Sequence, residues 1–451
     1  MKAFTKLIAV LLAAVMCLCV FSACAVKTDP PAEEQTPASD PAKTPDAATE
    51  QAAPASDVTL EIEVDWTDDN LAAFTALMDK FTAETGIKTE IVSVGEEIET
   101  QLKIRMASND MPDLWVTHGW SLIRYKDFLT DLSGESWVSD ISDAAAGVIT
   151  DTDGKLYVLP VSIALSCICF NKDVVEAAGV DWTTLKTWAD FEAACDKIRA
   201  AGYDPVIMGA KDSGNAGGLI NSFGLGYFAP EDSPYHSYLA QFLDGTADLG
   251  EAFDPIYDQI IKWRDSGYFN ADFLTLDTVG MKQALGAGTT AFCARTSTYI
   301  GAALGYHPDA NLGLLPYPAL EEGGKLSCAV GEGTCLGIWK DSENMDAAKT
   351  LLNWLAQPEN AAAVLAYDGC TAGLKSTPDD SIVKKAYDDF VAAYGAENIY
   401  FDNMFDRKYM PNGMWNVLSE GAAQLLNGTD KADVGAYMTE NFHSLYEEAH
   451  S

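Results

Sequence analysis

Positive charge is scarce in this 451-residue sequence. Lysine and arginine together number 29, aspartate and glutamate number 67, and the formal net charge is −38 at pH 7. Proteins that bind nucleic acids or anionic lipid surfaces neutralise phosphates with lysine and arginine, and this chain has few of either. The composition therefore argues against nucleic acid as a partner and favours solubility beside an anionic cell wall.

Sequence motifs of the common enzyme classes are also missing. The chain has no G-x-S-x-G, H-E-x-x-H, C-x-x-C or P-loop pattern. Asp151 and Asp153 resemble the start of a calcium loop, but the later ligands of such a loop are absent. The five histidines are far apart in the sequence and form no metal-binding pattern. We therefore expect no catalytic residue, no metal and no cofactor.

The chain begins with the features of an export signal. Lys2 and Lys6 form a short positive head, and the apolar run Leu7–Val20 follows it. This run is too short and wrongly flanked for a comfortable membrane span, and small residues come after it. The pattern predicts a signal peptide over residues 1–23.

A cysteine lies directly after this predicted signal. The sequence FSAC resembles the bacterial lipobox, in which the cysteine after the cleavage site receives diacylglycerol, although Phe21 stands where leucine is usual. The resemblance implies that Cys24 is lipidated, and two acyl chains anchor a protein far more firmly than one. Cys17 and Cys19 lie within the apolar run and would be removed with the signal.

The segment that follows has the composition of a tether. Residues 24–57 contain no aromatic residue and are rich in alanine, proline, threonine and acidic residues. Such a segment cannot bury enough apolar surface to offset the entropy lost on ordering, so we expect it to be disordered. The expected location is the extracytoplasmic face of the cell membrane, where the lipid anchor would hold a folded body.

That body, residues 58–451, is long enough for two or three domains with ample apolar cores. Seven cysteines follow Cys24, so they cannot all form pairs, and most lie in apolar runs such as SCICF and FCART. We expect buried free thiols from this pattern.

Strand and helix patterns alternate at the start of the body. TLEIEVDW, IKTEIVSV and PDLWVTHGW have the alternation or apolar character of strands, and segments with helical spacing separate them. The first of these helices is expected to end at Gly86 as a C-cap, and Asp113 is expected to accept hydrogen bonds from backbone N–H groups. This order predicts an α/β fold with a parallel sheet.

Ligands of such sheets lie beyond the carboxyl ends of the strands. Trp66 and Asp68 follow the first strand, and Thr117, His118 and Trp120 follow the third. An aromatic face covers the C–H side of a sugar ring, while polar groups bind its hydroxyls. A core role for each tryptophan is the alternative, but two tryptophans at strand ends favour a polyol site. The histidine is expected to be a hydrogen-bonding contact rather than a metal ligand.

An ordered series of segments extends over nearly all of the body. It begins with ETGIKTEIVSV and MASNDMPDLWV and continues through DGKLYVLPVSIALSCICFNKDVVEAAGV, TWADFEAACDKIRAAGYDPV, LGLLPYPA and NMDAAKTLLNWLAQPENAAAV. In this succession the chain resembles the family 1 extracellular solute-binding proteins, the carbohydrate receptors of ABC importers, to which maltose-binding proteins belong. One departure is Phe170, where the family often has a tyrosine, so that a hydroxyl is lost.

The resemblance implies a two-lobed periplasmic-binding-protein-like fold. Each lobe would be a mainly parallel sheet flanked by helices, and crossing hinge strands would join the lobes. The first lobe would contain residues 58–165 and 331–374, and the second would contain residues 166–330 and 375–451.

The resemblance also implies a ligand site between the lobes. The segment AFCARTSTYI would approach this cleft from the second lobe, GAKDSGNAGG would add a polar contact, and Trp415 would form a stacking platform. The expected ligand-binding residues are Trp66, Asp68, Thr117, His118, Trp120, Asp212, Asn215, Arg295, Thr296, Ser297, Glu332 and Trp415.

The expected function is that of a lipid-anchored, monomeric receptor that captures a carbohydrate, in particular an oligosaccharide, and delivers it to ABC permease subunits. Ligand that contacts both lobes would favour the closed form because it binds that form more tightly. Three alternatives stay open. They are an anchored glycoside hydrolase with two catalytic carboxylates, a ligand sensor with the same fold, and a receptor for a cationic solute such as a polyamine, which the negative charge would tolerate.

Overall fold

The computed structural model describes residues 57–95, 98–117, 122–151 and 153–450. The predicted signal peptide over residues 1–23, Cys24, the tether up to residue 56, His118 and Trp120 lie outside the described residues. Within the described residues, no helix is long and apolar enough to cross a membrane.

Strands and helices alternate along the described residues. The strands are β1 (Thr59–Val64), β2 (Lys88–Ser93), β3 (Leu114–Val116), β4 (Val158–Pro160), β5 (Ser162–Asn171), β6 (Asp204–Val206), β7 (Thr290–Thr296), β8 (Leu312–Leu315), β9 (Leu326–Glu332), β10 (Cys335–Ile338), β11 (Thr371–Ala372) and β12 (Ile399–Asp402). The α-helices are α1 (Asp68–Thr85), α2 (Ile98–Ser108), α3 (Leu122–Tyr125), α4 (Asp143–Ile149), α5 (Lys172–Ala177), α6 (Trp188–Ala200), α7 (Ser213–Phe228), α8 (Tyr238–Asp244), α9 (Leu249–Ala252), α10 (Asp254–Asp265), α11 (Thr278–Ala287), α12 (Thr298–Tyr306), α13 (Met345–Leu355), α14 (Pro358–Asp368), α15 (Ile382–Tyr394), α16 (Phe405–Tyr409), α17 (Met414–Leu426) and α18 (Lys431–His450). Short 3₁₀ helices span Lys126–Phe128, Ser136–Asp140, Trp182–Thr184 and Ala396–Asn398.

Two separate sheets organise these elements. The first has the order β2-β1-β3-β10-β4, in which β1 is parallel to β2 and β3 while β10 is antiparallel to β3 and β4. The second has the order β12-β9-β5-β7-β6, and β8 and β11 also pair with β5. Its parallel pairs are β12 with β9 and β6 with β7, whereas the long central strand β5 is antiparallel to each of its neighbours. This sheet is therefore mixed, rather than mainly parallel as expected for each lobe. Two sheets flanked by helices confirm the α/β fold.

Within the described residues, the chain passes between the two sheets at three places. Val161 joins β4 to β5, and Gly333 and Thr334 join β9 to β10. The third passage, residues 369–370, leads from α14, which packs on α1, to β11. The first two passages lie side by side, because the N–H of Val161 donates to the carbonyl of Thr334 at 3.0 Å. The predicted crossing strands are therefore present.

Local sequence signals explain the first elements. Helix α1 ends where Gly86 adopts a φ of 78°, which residues with a side chain rarely adopt, and its N–H donates to the carbonyl of Thr82 at 2.8 Å. The carboxylate of Asp113 accepts from the backbone N–H of Glu61 at 3.0 Å and from the hydroxyl of Ser342 at 2.6 Å. The predicted C-cap and the predicted structural role of this aspartate are both confirmed.

The core of the second sheet is rich in aromatic rings and thiols. Phe170 is fully buried, and its ring centre lies 5.6 Å from that of Trp182 and 6.4 Å from that of Phe292. Phe170 is therefore a core residue of the second sheet. The cysteines of the described residues are all buried and free, as predicted; they are Cys167, Cys169, Cys195, Cys293, Cys328, Cys335 and Cys370.

Candidate functional site

A cavity of about 250 Å³ opens at the carboxyl-terminal end of β7 in the second sheet. Strands β5 and β7 and helices α7, α16 and α17 contribute to its walls. The residues that line it are Ser166, Gly218, Ser222, Ala294, Arg295, Thr296, Met404, Asp406, Arg407 and Trp415. Three of the predicted ligand residues, Arg295, Thr296 and Trp415, therefore meet around one cavity. This cavity is the candidate site on the second lobe.

Uncharged groups hold Arg295 in place. Its Nε donates to the hydroxyl of Tyr299 at 3.2 Å, and its Nη1 donates to the carbonyl of Gly214 at 3.0 Å. The guanidinium lies directly against Gly218 of α7, where a methyl group would overlap with Nη1. The absence of a side chain at this glycine is thus what lets the arginine lie along the helix and reach the cavity.

A series of hydrogen bonds links Tyr299 through Asn215 and Thr278 to Asp212. Its hydroxyl donates to Oδ1 of Asn215 at 3.0 Å, and Nδ2 of Asn215 donates to the hydroxyl of Thr278 at 3.0 Å. The carboxylate of Asp212 accepts from both the backbone N–H and the hydroxyl of Thr278, each at 2.8 Å. Asn215 is 2% exposed. In this structure Asn215 and Asp212 position Arg295, and neither lines the cavity.

Trp415 lies in the first turn of α17 and is half-buried. The guanidinium of Arg407 lies 6.0 Å from the centre of its ring, close enough for a cation–π interaction. Arg407 also lies 3.4 Å from the carboxylate of Asp406, which accepts a hydrogen bond from Asn221 at 2.6 Å. An indole with flanking hydrogen-bonding groups is suited to covering the apolar face of a sugar ring.

Two serine hydroxyls complete the polar lining. The Oγ atoms of Ser166 and Ser222 are 3.2 Å apart and belong to β5 and α7. Thr296 contributes to the lining, and its hydroxyl hydrogen-bonds to that of Thr298 at 2.7 Å. Ser297 is fully buried instead, and its Oγ accepts from the backbone N–H of Leu165 at 3.2 Å. Ser297 thus fastens β7 to β5 in this structure and does not line the cavity.

A larger cavity of about 800 Å³ lies between elements of the two sheets. Thr67 and Asn70 of the first lobe line this cavity, together with residues of α11, α12 and the start of α15. Residues 365–370, which include the third passage between the sheets, close the base. A space with walls from both lobes and a base at the hinge is where a ligand could contact both lobes.

The predicted residues of the first lobe are less fully described. Trp66 is partly buried, with its ring centre 4.7 Å from that of Phe74 and 5.8 Å from that of Tyr367, which lines the larger cavity. Thr117 is fully buried, and among the described residues its hydroxyl has no hydrogen-bond partner. Asp68 is the first residue of α1, and Glu332 is the last residue of β9. The structure describes the backbone of these two residues and not their side chains.

Several cavity residues carry no local sequence signal. Ser166 and Ser222 are single hydroxyls within apolar segments, and Gly218 is one of several glycines in α7. Arg407 follows a carboxylate in an unremarkable polar stretch. A motif search has no reason to select any of them, because their shared position depends on how β5, α7 and α16 pack.

A comparison with protein-family models decides the family. Residues 65–362 match the model described as bacterial extracellular solute-binding protein. The chain belongs to this family. As a solute-binding protein it has a binding role rather than an enzymatic one, in agreement with the missing enzyme motifs.

Relatives and solved structures extend this result. The melibiose/raffinose/stachyose-binding protein MelE of Bacillus subtilis (strain 168) is 24% identical over 363 residues, which are 80% of this chain and 83% of that protein. A sugar transporter from Bacillus licheniformis, solved in complex with stachyose, has a TM-score of 0.75 and 27% identity and covers 86% of this chain and 100% of its own. An open conformation of the binding protein MsmE of Bacillus subtilis has a TM-score of 0.79 at 23% identity and covers 89% of this chain and 100% of its own. These similarities confirm the two-lobed fold of this solute-binding protein.

Proposed function

We propose that this solute-binding protein captures an oligosaccharide between its two lobes and delivers it to an ABC permease. The observation that carries the proposal is the cavity at the end of β7, where the indole of Trp415 meets the guanidinium of Arg295 and the hydroxyls of Ser166 and Ser222. An aromatic face next to convergent polar groups suits a sugar. The names of the relatives, which mention melibiose, raffinose and stachyose, support the same ligand class.

Capture would proceed by closure of the lobes. In the open form, a sugar stacks on Trp415 and receives hydrogen bonds from Arg295, while Thr67 and Asn70 face it across the larger cavity. Contacts from the first lobe form as the lobes approach, with Trp66, Asp68, Thr117, His118 and Trp120 as the expected partners. Glu332, at the end of β9, would join them from the passage between the sheets. Because these contacts exist in the closed form alone, ligand shifts the population towards it. The permease would recognise the closed arrangement.

The proposal includes the predicted boundaries of the lobes and the predicted membrane anchor. Residues 58–165 with 331–374 were expected to move as one lobe, and residues 166–330 with 375–451 as the other. Because Ser162–Leu165, Gly331–Glu332 and Thr371–Ala372 pair within the second sheet, the boundaries of the moving lobes would lie at the three passages between the sheets. Lipidated Cys24 would hold this monomeric protein at the extracytoplasmic face of the membrane, with residues 25–57 as a tether. Both parts are supported by sequence pattern.

A ligand screen tests the proposal directly. The purified protein is titrated with melibiose, raffinose, stachyose and arabino-oligosaccharides, and both the thermal unfolding midpoint and the heat of binding are recorded. Binding of at least one sugar should raise the midpoint, because a ligand that binds the native state alone stabilises it. Chromatography of the incubated sugars is the control for hydrolysis. Turnover would favour the glycoside hydrolase, and the absence of any binding would contradict the proposal.

A further inference from the structure

Two cations of the second lobe share one aromatic ring. Cζ of Arg295 lies 5.4 Å from the ring centre of Tyr299, and Nζ of Lys282, on α11, lies 5.1 Å from the same ring centre. Burial lowers the pKa of Lys282, and the positive charge of Arg295 lowers it further. The two charges are therefore close enough to repel each other.

Neither cation forms an ion pair with a carboxylate within the described part of the chain. Other partly buried cations do have such partners: Arg105 lies 2.8 Å from Glu63, and Lys349 lies 2.9 Å from Glu135. The chain has 67 acidic residues for 29 basic ones, so carboxylates are plentiful. Two neighbouring cations without a carboxylate partner are therefore unexpected in so acidic a chain. Their mutual repulsion destabilises the protein when no ligand is bound.

The available donors of Arg295 suit a planar anion. Arginine has five N–H donors, and the two hydrogen bonds to Tyr299 and Gly214 occupy two of them. The remaining donors of a guanidinium held against Gly218 form a fixed edge, which matches the two oxygens of a carboxylate. Because the groups that hold this arginine are uncharged, its full charge is left for a ligand.

Both cations border the proposed sugar site. Arg295 lines the cavity that contains Trp415, and Lys282 lines the larger cavity between the lobes, opposite Thr67. An acidic group bound beside Arg295 would also be attracted by Lys282, since both side chains lie against Tyr299. The same charges would repel the cationic solute considered from the overall composition.

We propose that the ligand is an acidic oligosaccharide, in which the carboxylate of a uronic acid unit binds Arg295 and is attracted by Lys282 while a neighbouring sugar ring stacks on Trp415. Because this assignment rests on the proposed function, its test must separate loss of acid preference from loss of sugar binding. Asp406 lines the same cavity, but it lies 3.4 Å from Arg407 and forms no ion pair with Arg295. The same class of ligand explains why Arg295 and Lys282 lack a carboxylate partner within the described residues of an acid-rich protein.

The test compares matched pairs of sugars by calorimetry. Galacturonate trimers are compared with galactose trimers, and glucuronate-substituted xylo-oligosaccharides with unsubstituted ones, next to raffinose and stachyose. We expect at least one acidic sugar to bind about tenfold or more tightly than its neutral counterpart, as a charge-assisted hydrogen bond provides. This preference should decrease at high salt.

Variants then assign the preference to the two cations. Lys282→Met keeps most of the length of the side chain and should reduce severalfold the ratio of acidic to neutral affinity within each matched pair of sugars. Lys197→Met, at an exposed position of α6, removes the same charge away from the cavities and should leave the preference unchanged. If Lys282→Met impairs folding, Arg295→Lys keeps the charge but loses the planar edge, and it should also lower the ratio of acidic to neutral affinity within each matched pair.

Each outcome has a distinct meaning. Tight binding of a neutral sugar without any preference for its acidic counterpart overturns the acidic-ligand assignment and leaves the proposed function intact. Equal loss of preference in Lys282→Met and Lys197→Met overturns the assignment too, because the preference would then reflect net charge. A failure to bind every sugar overturns the proposed function and this assignment with it.

Discussion

The hydroxyl of Thr334 donates a hydrogen bond to Oδ2 of Asp368 at 3.2 Å, and this bond joins two of the three passages between the sheets. The same carboxylate accepts hydrogen bonds from the hydroxyl of Ser162, at the first passage, and from the backbone N–H of Cys370 at 2.9 Å, at the third. One buried carboxylate therefore contacts all three of the described passages between the sheets. Movement of one passage relative to another must change the environment of Asp368.

Stability should depend on pH through Asp368. Burial, with a smaller contribution from Asp379, raises the pKa of Asp368 from 3.8 to about 6, although hydrogen bonds from Ser162, Cys370 and Thr334 act in the opposite direction. Between pH 3.8 and about 6, Asp368 is therefore protonated in the folded state and ionised in the unfolded state. Because the folded state binds the extra proton, the contribution of this group to the free energy of unfolding increases as the pH falls through about 6. Relative to Asp368→Asn, the wild-type free energy of unfolding should increase by about 1 kcal/mol from about pH 7.5 to about pH 5.

Urea unfolding at a series of pH values measures this difference. The asparagine variant cannot titrate at this position, so subtracting its pH profile from that of the wild type isolates Asp368. Asp309→Asn, at an exposed position, is the matched control and should reproduce the wild-type profile. Parallel profiles for wild type and Asp368→Asn would show that this carboxylate does not titrate in that range.

Replacement of Trp415 should weaken ligand binding. If its indole covers one face of a sugar ring, Trp415→Ala should lose about 1–3 kcal/mol of binding free energy, on the scale of aromatic stacking on bases. Trp415→Phe retains an aromatic face and should lose less. Calorimetry with the tightest sugar of the screen measures both, and thermal unfolding checks the fold. The same comparison applies to Trp120, and unchanged affinity in both alanine variants would remove the stacking platform from the proposal.

The helices and strands of this fold were predictable where signals from residues close together in the sequence agree with how the side chains pack. The alternation of TLEIEV, the spacing of α1 and the cap at Gly86 depend on near neighbours in the chain, and all three are confirmed. The same holds for Asp113, because an acidic side chain that follows a proline before a buried strand lies next to backbone N–H groups. The buried thiols follow from their apolar surroundings.

The candidate site was predictable only in part, because its hydrogen bonds join distant segments. Arg295 and Trp415 could be placed by resemblance. The sequence gives no sign, however, that the hydroxyl of Tyr299 links Arg295 to Asn215 on α7 through two hydrogen bonds. Asn215 was expected to bind ligand, and burial against Tyr299 instead satisfies its amide within the protein. Likewise, Phe170 could be assigned to the core only once its contacts with Trp182 and Phe292 were known.

Gly218→Ala should separate the placement of Arg295 from the stability of the fold. A methyl group there overlaps with Nη1, which is the end of a flexible side chain and can move aside. Alanine is favoured over glycine within a helix by about 1 kcal/mol, so the net change in stability should be small. Ligand affinity should nevertheless fall about tenfold, because the displaced guanidinium loses its charged hydrogen bonds to the ligand.

The control for this variant is Gly147→Ala. Gly147 lies on the exposed face of α4, and a methyl group there would meet no other atom within 4 Å. This substitution should raise the free energy of unfolding by about 0.5–1 kcal/mol and leave affinity unchanged. Unfolding and calorimetry on both variants give the comparison, and wild-type affinity in Gly218→Ala would mean that the position of Arg295 is not important for binding.

Lipid attachment at Cys24 should be specific for that thiol. Two acyl chains on Cys24 would make membrane binding stable. Cys17 and Cys19 cannot serve as the anchor, because they would be removed with the predicted signal peptide. In cells fed a labelled fatty acid, the wild-type protein should carry the label and fractionate with membranes, and Cys24→Ser should lose both properties. Cys17→Ser changes a cysteine of the apolar run and should retain both. Labelling of Cys24→Ser at the wild-type level would place the anchor elsewhere, and the tether could then not be assigned to residues 25–57.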